Sequence, residues 1–280
     1  MFYHEKNQSE PFLNFLHRLQ TLCVLLTSIK FKNMIRSLLI AGLFMATGTF
    51  SAQKLSTVSY QDGSQKLSGL VTSNAGKKLP GVLILPAWKG IDEEAKTAAL
   101  DLEKAGYIAF IADIYGEGNL PTDNASSAKI AGFYKQNYEA YQKRISLALE
   151  QLKKSGALPE KIAVIGYCFG GTGALEAMRG HLPVAGVVSI HGGLAKDPTR
   201  ANSLISTKIL VEHPADDESV KPEDYAQLVS EMNEGKADWQ IITYANSKHT
   251  FTNPESTDYN PVMAKRAWAH TMMFLKEIIK

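Results

Sequence analysis

The chain has 280 residues, of which 45% are hydrophobic and 21% are charged, a composition typical of a folded protein rather than a disordered one. Its 30 basic and 28 acidic residues nearly balance, which argues against a general nucleic-acid-binding protein. The two cysteines, Cys23 and Cys168, are too few for a disulfide-stapled scaffold or a zinc site built from cysteine.

The N-terminal segment predicts a leader rather than a part of the fold. A basic stretch precedes the apolar run Leu38–Phe50, and small residues ending at Ala52 follow it. This succession is typical of a secretory signal peptide. We therefore expect residues 1–52 to be an N-terminal extension and signal peptide, residues 53–280 to be a single domain, and the mature protein to be exported, periplasmic or secreted. An uncleaved membrane anchor is the alternative.

The rest of the chain alternates short apolar runs with amphipathic stretches. The predicted strands are Val58–Tyr60, Leu67–Thr72, Gly81–Leu85, Ile108–Ala112, Lys161–Ile165, Val184–Ile190, Lys208–Val211 and Trp239–Tyr244. The predicted helices are Asp92–Ala105, Ser126–Lys154 with an interruption at Gly132, Gly170–Arg179, Glu223–Met232 and Pro261–Ile279. This alternation predicts an α/β fold with a doubly wound, mostly parallel sheet and helices on both faces.

The strongest chemical signal is a cysteine within the run Gly-Tyr-Cys-Phe-Gly-Gly at residues 166–171. The run joins a predicted buried strand to a predicted helix, which is the context that a nucleophile elbow requires. Gly166 and Gly170 leave room for a sharp turn, and the start of the helix favours a thiolate on Cys168. A glycine-rich turn that holds a buried structural cysteine is the alternative.

Candidate partners for the cysteine follow two later strands. The acidic run Asp216, Asp217 and Glu218 comes after the strand that ends at Val211, and His249 comes after the last strand. Nucleophile, acid and histidine is the chain order of α/β-hydrolases, and the carboxyl ends of parallel strands meet at one edge of a sheet. We expect His249 to take the thiol proton and a carboxylate to orient the imidazole. A surface loop histidine and a charged loop or cation site are the alternatives.

These motifs resemble the dienelactone hydrolase family, within the α/β-hydrolase fold. The resemblance extends from about Val58 to the C-terminus. It rests on residues 166–171, on Ala-Asp-Ile-Tyr-Gly at residues 112–116, on the Asp217-x-x-Val220 turn and on His249-x-Phe251. A cysteine at the elbow is specific, since most α/β-hydrolases have serine there. The family places its acid in a Gly-x-x-Asp-x-x-Val turn, and although Pro214 replaces the glycine, this frame selects Asp217 over Asp216.

The resemblance also implies an oxyanion hole made by the backbone N–H groups of Trp88 and Phe169. The enzymes of this family that open dienelactone have a glutamate just before the first of these donors, which holds their thiol neutral. Ala87 stands at that position here. The two arginines that bind the substrate carboxylate in those enzymes align with Glu117 and Asn253, so the resemblance does not transfer their substrate.

The sequence therefore predicts a hydrolase of a small ester, lactone or thioester that acts through a Cys168–His249–Asp217 triad and an acyl-enzyme. The candidates for the substrate pocket are the three residues at which the sequence departs from the family, Ala87, Glu117 and Asn253, together with Tyr115 and His191. For His191, the alternative is a loop histidine that is simply hydrogen-bonded. A redox-reactive or non-catalytic thiol protein on the same scaffold is the alternative function, and an interaction protein with a relic triad is a third. We expect no cofactor, no metal, no nucleic acid and no membrane insertion after signal cleavage.

Overall fold

The computed structural model describes residues 54–280, so the predicted signal peptide at residues 1–52 lies outside the described residues. The strands are β1 (Ser56–Asp62), β2 (Gln65–Val71), β3 (Leu79–Leu85), β4 (Ile108–Ile111), β5 (Ala157–Tyr167), β6 (Gly186–Ile190), β7 (Lys208–Pro214) and β8 (Trp239–Tyr244). The helices are α1 (Glu93–Lys104), α2 (Asn124–Gln136), α3 (Tyr138–Lys154), α4 (Phe169–Arg179), α5 (Pro222–Glu234) and α6 (Pro261–Ile279). Within this segment, no helix has the length and apolarity needed to cross a membrane.

The strands of the described segment form one sheet in the order β1-β2-β4-β3-β5-β6-β7-β8. The hairpin β1–β2 packs antiparallel against β4, whereas the strands from β3 to β8 run parallel to one another. The carboxyl ends of the parallel strands consequently share one edge of the sheet, where loops from different strands can converge. The predicted α/β-hydrolase fold, with a mostly parallel central sheet, is confirmed.

The apolar core lies in two layers, one on each face of the sheet. Along β3, Leu83 and Leu85 belong to one layer and Val82 and Ile84 to the other, as the two-residue period of a strand requires. Helices α2, α3, α4 and α5 cover the first face, and α1 and α6 cover the second. Helices therefore lie on both faces, and the second face carries only two of the described helices.

The long helix predicted over residues 126–154 is two helices, and the break lies at Asn137 rather than at Gly132. Asn137 leaves the helical conformation with φ −109° and ψ 65°, and both its backbone N–H and its side-chain amide donate to the carbonyl of Phe133. The first helix also begins earlier, because Asp123 and Ser126 form a capping box. Gly132 is tolerated within the helix because tertiary packing outweighs its weak propensity.

Candidate active site

Cys168 occupies the sharp turn between β5 and α4. Its backbone has φ 52° and ψ −110°, a conformation that side-chain-bearing residues rarely adopt and that is often found at functional sites. A Cβ atom on Gly166 would overlap the carbonyl of Gly170, and a Cβ atom on Gly170 would overlap the carbonyl of Leu85. Both glycines are therefore required by the close approach of the backbone, and the strained turn presents the thiol at the carboxyl edge of the sheet.

The three predicted triad residues lie in one hydrogen-bonded line. Nε2 of His249 is 3.0 Å from Sγ of Cys168, and Nδ1 of His249 is 2.8 Å from Oδ2 of Asp217. Asp217 follows β7 and His249 follows β8, so two adjacent parallel strands deliver the carboxylate and the imidazole to the elbow. The arrangement suits transfer of the thiol proton to nitrogen, with the carboxylate facing the opposite side of the ring.

The acid of this line is Asp217 and not its neighbour Asp216. The side chain of Asp217 is fully buried, and its Oδ1 accepts hydrogen bonds from the backbone N–H and the hydroxyl of Ser219, at 3.0 and 2.6 Å. Asp216 is exposed, and its backbone N–H donates to the carbonyl of Ser247. Burial raises the pKa of Asp217, but its hydrogen bonds with His249 and Ser219 outweigh burial and lower the pKa below the ordinary value.

The electrostatics around His249 favour the imidazolium form. Burial lowers its pKa, while hydrogen bonds to Asp217 and Cys168 and the negative charges of the two partners raise it, to about 10 in balance. A protonated imidazole beside the sulfur stabilises negative charge on that sulfur. The sulfur of Cys168 therefore lies beside an imidazole whose surroundings favour its charged form.

His191 lies on the other side of the cysteine and is buried. Its Nδ1 accepts the backbone N–H of Cys168 at 3.1 Å, and its Nε2 lies 2.7 Å from the hydroxyl of Thr252, which in turn donates to Glu94 at 2.6 Å. Because Nδ1 is an acceptor, the ring proton resides on Nε2 and points to Thr252. Burial and the neighbouring His249 lower the pKa of His191 to about 3, so the ring is neutral and holds the backbone of the nucleophile in place.

The expected oxyanion donors belong to the same region. Phe169 is the first residue of α4, and the first bond of that helix runs from Thr172 to the carbonyl of Cys168, so the N–H of Phe169 has no acceptor within the helix. Trp88 lies on the loop after β3 and borders the same cleft as Cys168. The hydroxyl of Tyr115 donates to the carbonyl of Trp88 at 2.9 Å and so helps to fix this loop.

The cleft at the sheet edge has a volume of about 560 Å³, within the range of small-molecule sites. It contains three of the residues proposed for the pocket, namely Ala87, His191 and Asn253. The other two, Tyr115 and Glu117, are not part of its lining. Tyr115 is buried beneath the cleft against aromatic rings, and Glu117 is an exposed residue that pairs with Lys66 at 3.0 Å.

The charges that do line the cleft are of both signs. The lysines are Lys89, on the loop after β3, and Lys135, on α2. The carboxyl groups are those of Asp92, Glu94 and Glu255. Glu117 is paired with Lys66 outside this lining, so its carboxylate is not among the charges that a substrate in the cleft would meet. No cluster of metal-ligating side chains occurs among residues 54–280.

Three residues of the site were not identified from the sequence: Ser219, Thr252 and Glu94. Ser219 stands two residues after Asp217, a spacing at which a side chain often binds a preceding carboxylate in a turn, and this signal was available. Thr252 and Glu94 are 158 positions apart, and no local pattern connects them.

The chain is similar to several known proteins in sequence and in fold. The model of the family described as "Dienelactone hydrolase family" matches residues 67–279. A "Probable 2-oxo-3-(5-oxofuran-2-ylidene)propanoate lactonase" from Bradyrhizobium sp is 27% identical over 227 residues, which cover 77% of this chain and 90% of that protein. A dienelactone hydrolase-like promiscuous phosphotriesterase from metagenomic libraries is 29% identical, covers 82% of this chain and 100% of its own, and superposes with a TM-score of 0.76. The solved structure of m3DLH is 28% identical with the same coverage and a TM-score of 0.77.

Proposed function

The chain belongs to the dienelactone hydrolase family and is an ester or lactone hydrolase, and on this premise we propose that it cleaves its substrate through a covalent acyl-enzyme on Cys168. The observation that carries the proposal is the unbroken line from Sγ of Cys168 through the imidazole of His249 to the carboxylate of Asp217. A thiolate beside an imidazolium is a nucleophile and a general acid already in contact, which is what the first step of acyl transfer needs.

In the acylation step, the sulfur attacks the substrate carbonyl carbon and the C=O electron pair moves onto oxygen. The backbone N–H groups of Phe169 and Trp88 stabilise the resulting oxyanion. His249 then gives its Nε2 proton to the leaving alkoxide, the C–O bond breaks, and a thioester of Cys168 remains. In a lactone, the leaving hydroxyl stays attached to the acyl group.

In the deacylation step, neutral His249 takes a proton from water, and the hydroxide equivalent attacks the thioester carbonyl. The same N–H groups hold the second oxyanion. Collapse of this intermediate expels the sulfur, releases the carboxylic acid and restores the thiolate and imidazolium pair. Asp217 keeps the imidazole oriented in both steps, since Ser219 and burial fix its own carboxylate.

The substrate that we propose is a small ester, lactone or thioester. The cleft of about 560 Å³ supports a small substrate, and Lys89 and Lys135 give it two positive charges able to attract an acidic group. The lactonase relative from Bradyrhizobium and the phosphotriesterase relative carry names that point to a lactone and to a phosphotriester, so both classes belong in a substrate panel.

The proposal is tested with a panel of activated esters, thioesters and lactones of graded acyl length, and a phosphotriester, on wild type and Cys168→Ala. We expect a burst of leaving group equal to the enzyme concentration with wild type, a covalent mass increase on the peptide that contains Cys168, and neither with Cys168→Ala. Oxidation of Cys168 to a sulfenic acid without turnover of any panel member would instead support a redox-reactive thiol protein.

We also propose that the protein acts outside the cytoplasm. The support is the basic, apolar and small-residue succession that ends at Ala52, because such a succession is typical of a signal peptide. Sequencing of the N-terminus of protein isolated from its native cell tests this: a start at Ala52 or Gln53 is expected, and a cytoplasmic protein that retains residues 1–33 would contradict it.

A further inference from the structure

A second cavity adjoins the catalytic cleft, between the two helices that cover the second face of the sheet. It has a volume of about 320 Å³. Its lining comes from α1, from the carboxyl ends of β5, β6 and β7, from the loop of residues 252–255 and from α6. Glu94, Asn253 and Glu255 line both this cavity and the catalytic cleft. We call it the α1–α6 cavity.

A buried carboxyl oxygen without a partner belongs to this lining. Glu212, near the end of β7, has no solvent exposure, and its Oε2 has no hydrogen-bond partner among residues 54–280. Its other oxygen accepts the hydroxyl of Thr271 at 3.0 Å. The hydroxyl of Tyr244, which faces the same carboxyl, is hydrogen-bonded with Nδ1 of His270. A buried acceptor without a donor is costly, so Oε2 is suited to a donor that a ligand brings.

The carboxyl groups of the α1–α6 cavity are not matched by any basic side chain in its lining. The ionisable acids of its lining are Glu93, Glu94, Asp101, Glu212 and Glu255, and the lining contains no lysine, arginine or histidine. Lys96 and Lys104 pair with the two acids nearest the surface of α1, which leaves the interior carboxyls without a cation among the described residues. Burial raises the pKa of Glu94 to about 7 and that of Glu212 well above its ordinary value, as expected for carboxyls that lack a cationic partner.

The remaining walls are apolar and small. Ala98, Ala264 and Ala267 leave the space open, and the rings of Tyr167 and Trp268 border it. Aromatic faces attract cations as well as apolar groups. The lining thus combines a buried acceptor, an excess of carboxyls and an apolar wall, which together fit a molecule with an amine at one end and an apolar body at the other.

We propose that the α1–α6 cavity binds a small primary ammonium ion with an apolar body, whose N–H groups reach Oε2 of Glu212. This binding site goes beyond the proposed hydrolysis and does not depend on it. The primary amine is preferred over a quaternary one because only the former can donate a hydrogen bond to the unpartnered oxygen. The shared wall at Glu94 places the bound molecule next to the catalytic cleft.

The test is calorimetric titration of 2-phenylethylamine into the folded enzyme, with 2-phenylethanol and phenylethyltrimethylammonium as matched neutral and quaternary probes. We expect saturable binding of one amine, and binding weaker by about tenfold or more for the other two probes. Cys168→Ala is expected to bind the amine as wild type does although it cannot hydrolyse esters, so failure of the catalytic proposal and failure of this one are distinguishable.

Two variants locate the site. Glu212→Gln keeps the size of the side chain but replaces the carboxyl by an amide, which cannot become the anion that pairs with a bound ammonium ion, and we expect it to weaken amine binding by about tenfold or more. Ala264→Leu fills the cavity from α6 and is expected to abolish binding. Glu160→Gln, the same change on an exposed carboxylate at the other end of β5, serves as the control with unchanged affinity.

Near-UV circular dichroism shows whether each variant is folded, and if Glu212→Gln does not fold, Ala264→Leu decides. The proposal is overturned if the alcohol binds as tightly as the amine, or if the wild-type enzyme does not bind the amine. It is also overturned if folded Ala264→Leu binds the amine with wild-type affinity, or if Cys168→Ala loses the binding.

Discussion

The two sides of Cys168 each present an imidazole, and the two rings have opposite properties. The centroids of His249 and His191 are only 5.4 Å apart. The pKa of His249 rises to about 10, because the carboxylate of Asp217 and the sulfur outweigh the effect of burial. The pKa of His191 falls to about 3, because burial and its charged neighbour oppose protonation. The groups that surround each imidazole, rather than its distance from Cys168, therefore determine whether that imidazole is charged.

This difference separates two tasks. His249 faces the carboxylate of Asp217 and the sulfur of Cys168, and its partly exposed ring can exchange a proton with substrate or water. His191 faces a backbone N–H and a hydroxyl, and as a neutral ring it holds the strained turn of Cys168. In the proposed mechanism, proton transfer takes place on one side of Cys168 and backbone positioning on the other, and the following experiments test that separation in order of expected effect.

The largest effect is expected from His249→Ala, which removes the only imidazole on the proton-transfer side. We expect kcat/KM for an activated ester to fall by about 10⁴-fold, the loss typical of a missing triad member. The measurement is steady-state hydrolysis at pH 7 and 9. His181→Ala removes a histidine that is hydrogen-bonded with Ser203, just after the C-terminal end of α4, and should leave the rate near that of wild type. Comparable losses in both variants would contradict the assignment.

The next largest loss of kcat is expected for a substitution of Asp217, and the adjacent Asp216 provides its control. Asp217→Asn keeps the shape of the side chain but favours the wrong tautomer of His249, and kcat should fall by about 10³-fold to 10⁴-fold. Asp216→Asn makes the same change on an exposed neighbour and should alter kcat less than about twofold. The two kcat values from stopped-flow or steady-state assays decide the acid, and a larger loss for Asp216→Asn would transfer the role to that residue.

A third effect concerns the reactivity of the free enzyme. Because the pKa of His249 is about 10, its imidazolium form persists through neutral pH and stabilises a thiolate beside it. Between pH 6 and 8, alkylation of Cys168 by iodoacetamide should change far less than the roughly hundredfold change of a simple thiol. Mass spectrometry of the peptide containing Cys168 measures the rate separately from Cys23.

Two variants serve as the controls of this reactivity. His249→Ala should return the rate to the pH dependence of a simple thiol. Ala87→Glu places a carboxylate in the lining of the cleft and should slow alkylation by opposing negative charge on sulfur. A wild-type enzyme that alkylates no faster than a simple thiol, with no effect of Ala87→Glu, would show that the resting thiol is neutral or inaccessible.

The three residues that the sequence predicts as a triad lie together in the structure, and this juxtaposition has a local physical cause. A nucleophile elbow needs glycines at fixed spacing between a buried strand and a helix, and residues 166–171 display that pattern without reference to the rest of the fold. The parallel sheet then brings the ends of β7 and β8 beside the elbow, so chain order alone places Asp217 and His249 together.

The direction in which a side chain points could not be predicted from the sequence. Glu117 was assigned to the pocket by alignment, but its backbone N–H and its carboxylate bind Lys66, and its carboxylate also accepts the hydroxyl of Ser68, so the loop folds back on β2. Asp113 holds this fold by accepting backbone N–H groups from both segments. Such pairing between residues about fifty positions apart leaves no local pattern.

The α1–α6 cavity was not predicted from the sequence, and the reason is a different one. The predicted strand ended at Val211, because a glutamate normally marks the end of a buried run, yet β7 continues to Pro214 with Glu212 fully buried. The pairing with β6 reaches Glu212 and the pairing with β8 continues to Pro214, so backbone pairing overrides the side-chain preference. A buried charge-bearing residue inside a strand is a departure from local rules, and such departures often mark functional sites.

The fourth effect is on stability, where the two imidazoles predict opposite pH dependences. The folded pKa of His191, about 3, lies below its ordinary 6.5, so its contribution to stability is complete above pH 6.5 and is lost as pH falls. Between pH 7 and 5 this loss is about 2 kcal/mol. The contribution of His249, with a folded pKa of about 10, is present below pH 6.5 and is lost as pH rises. Urea unfolding at pH 7 and 5 should show a smaller decrease for His191→Asn than for wild type, and equal decreases would contradict the neutral, buried ring.

The smallest effect tests the positioning role of His191 in catalysis. Its Nδ1 accepts the N–H of Cys168, and its own backbone has φ 39°, in the left-handed region that asparagine tolerates. His191→Asn can offer its amide oxygen where Nδ1 stood, so kcat should fall only a few-fold, while His191→Ala leaves the carbonyl of Ile190 as the one remaining acceptor of that N–H and should lower kcat by about tenfold. Because neither variant changes His249, the pH dependence of kcat should keep its wild-type shape in both. A change of that shape, or equal losses in the two variants, would place His191 with His249 on the proton-transfer side.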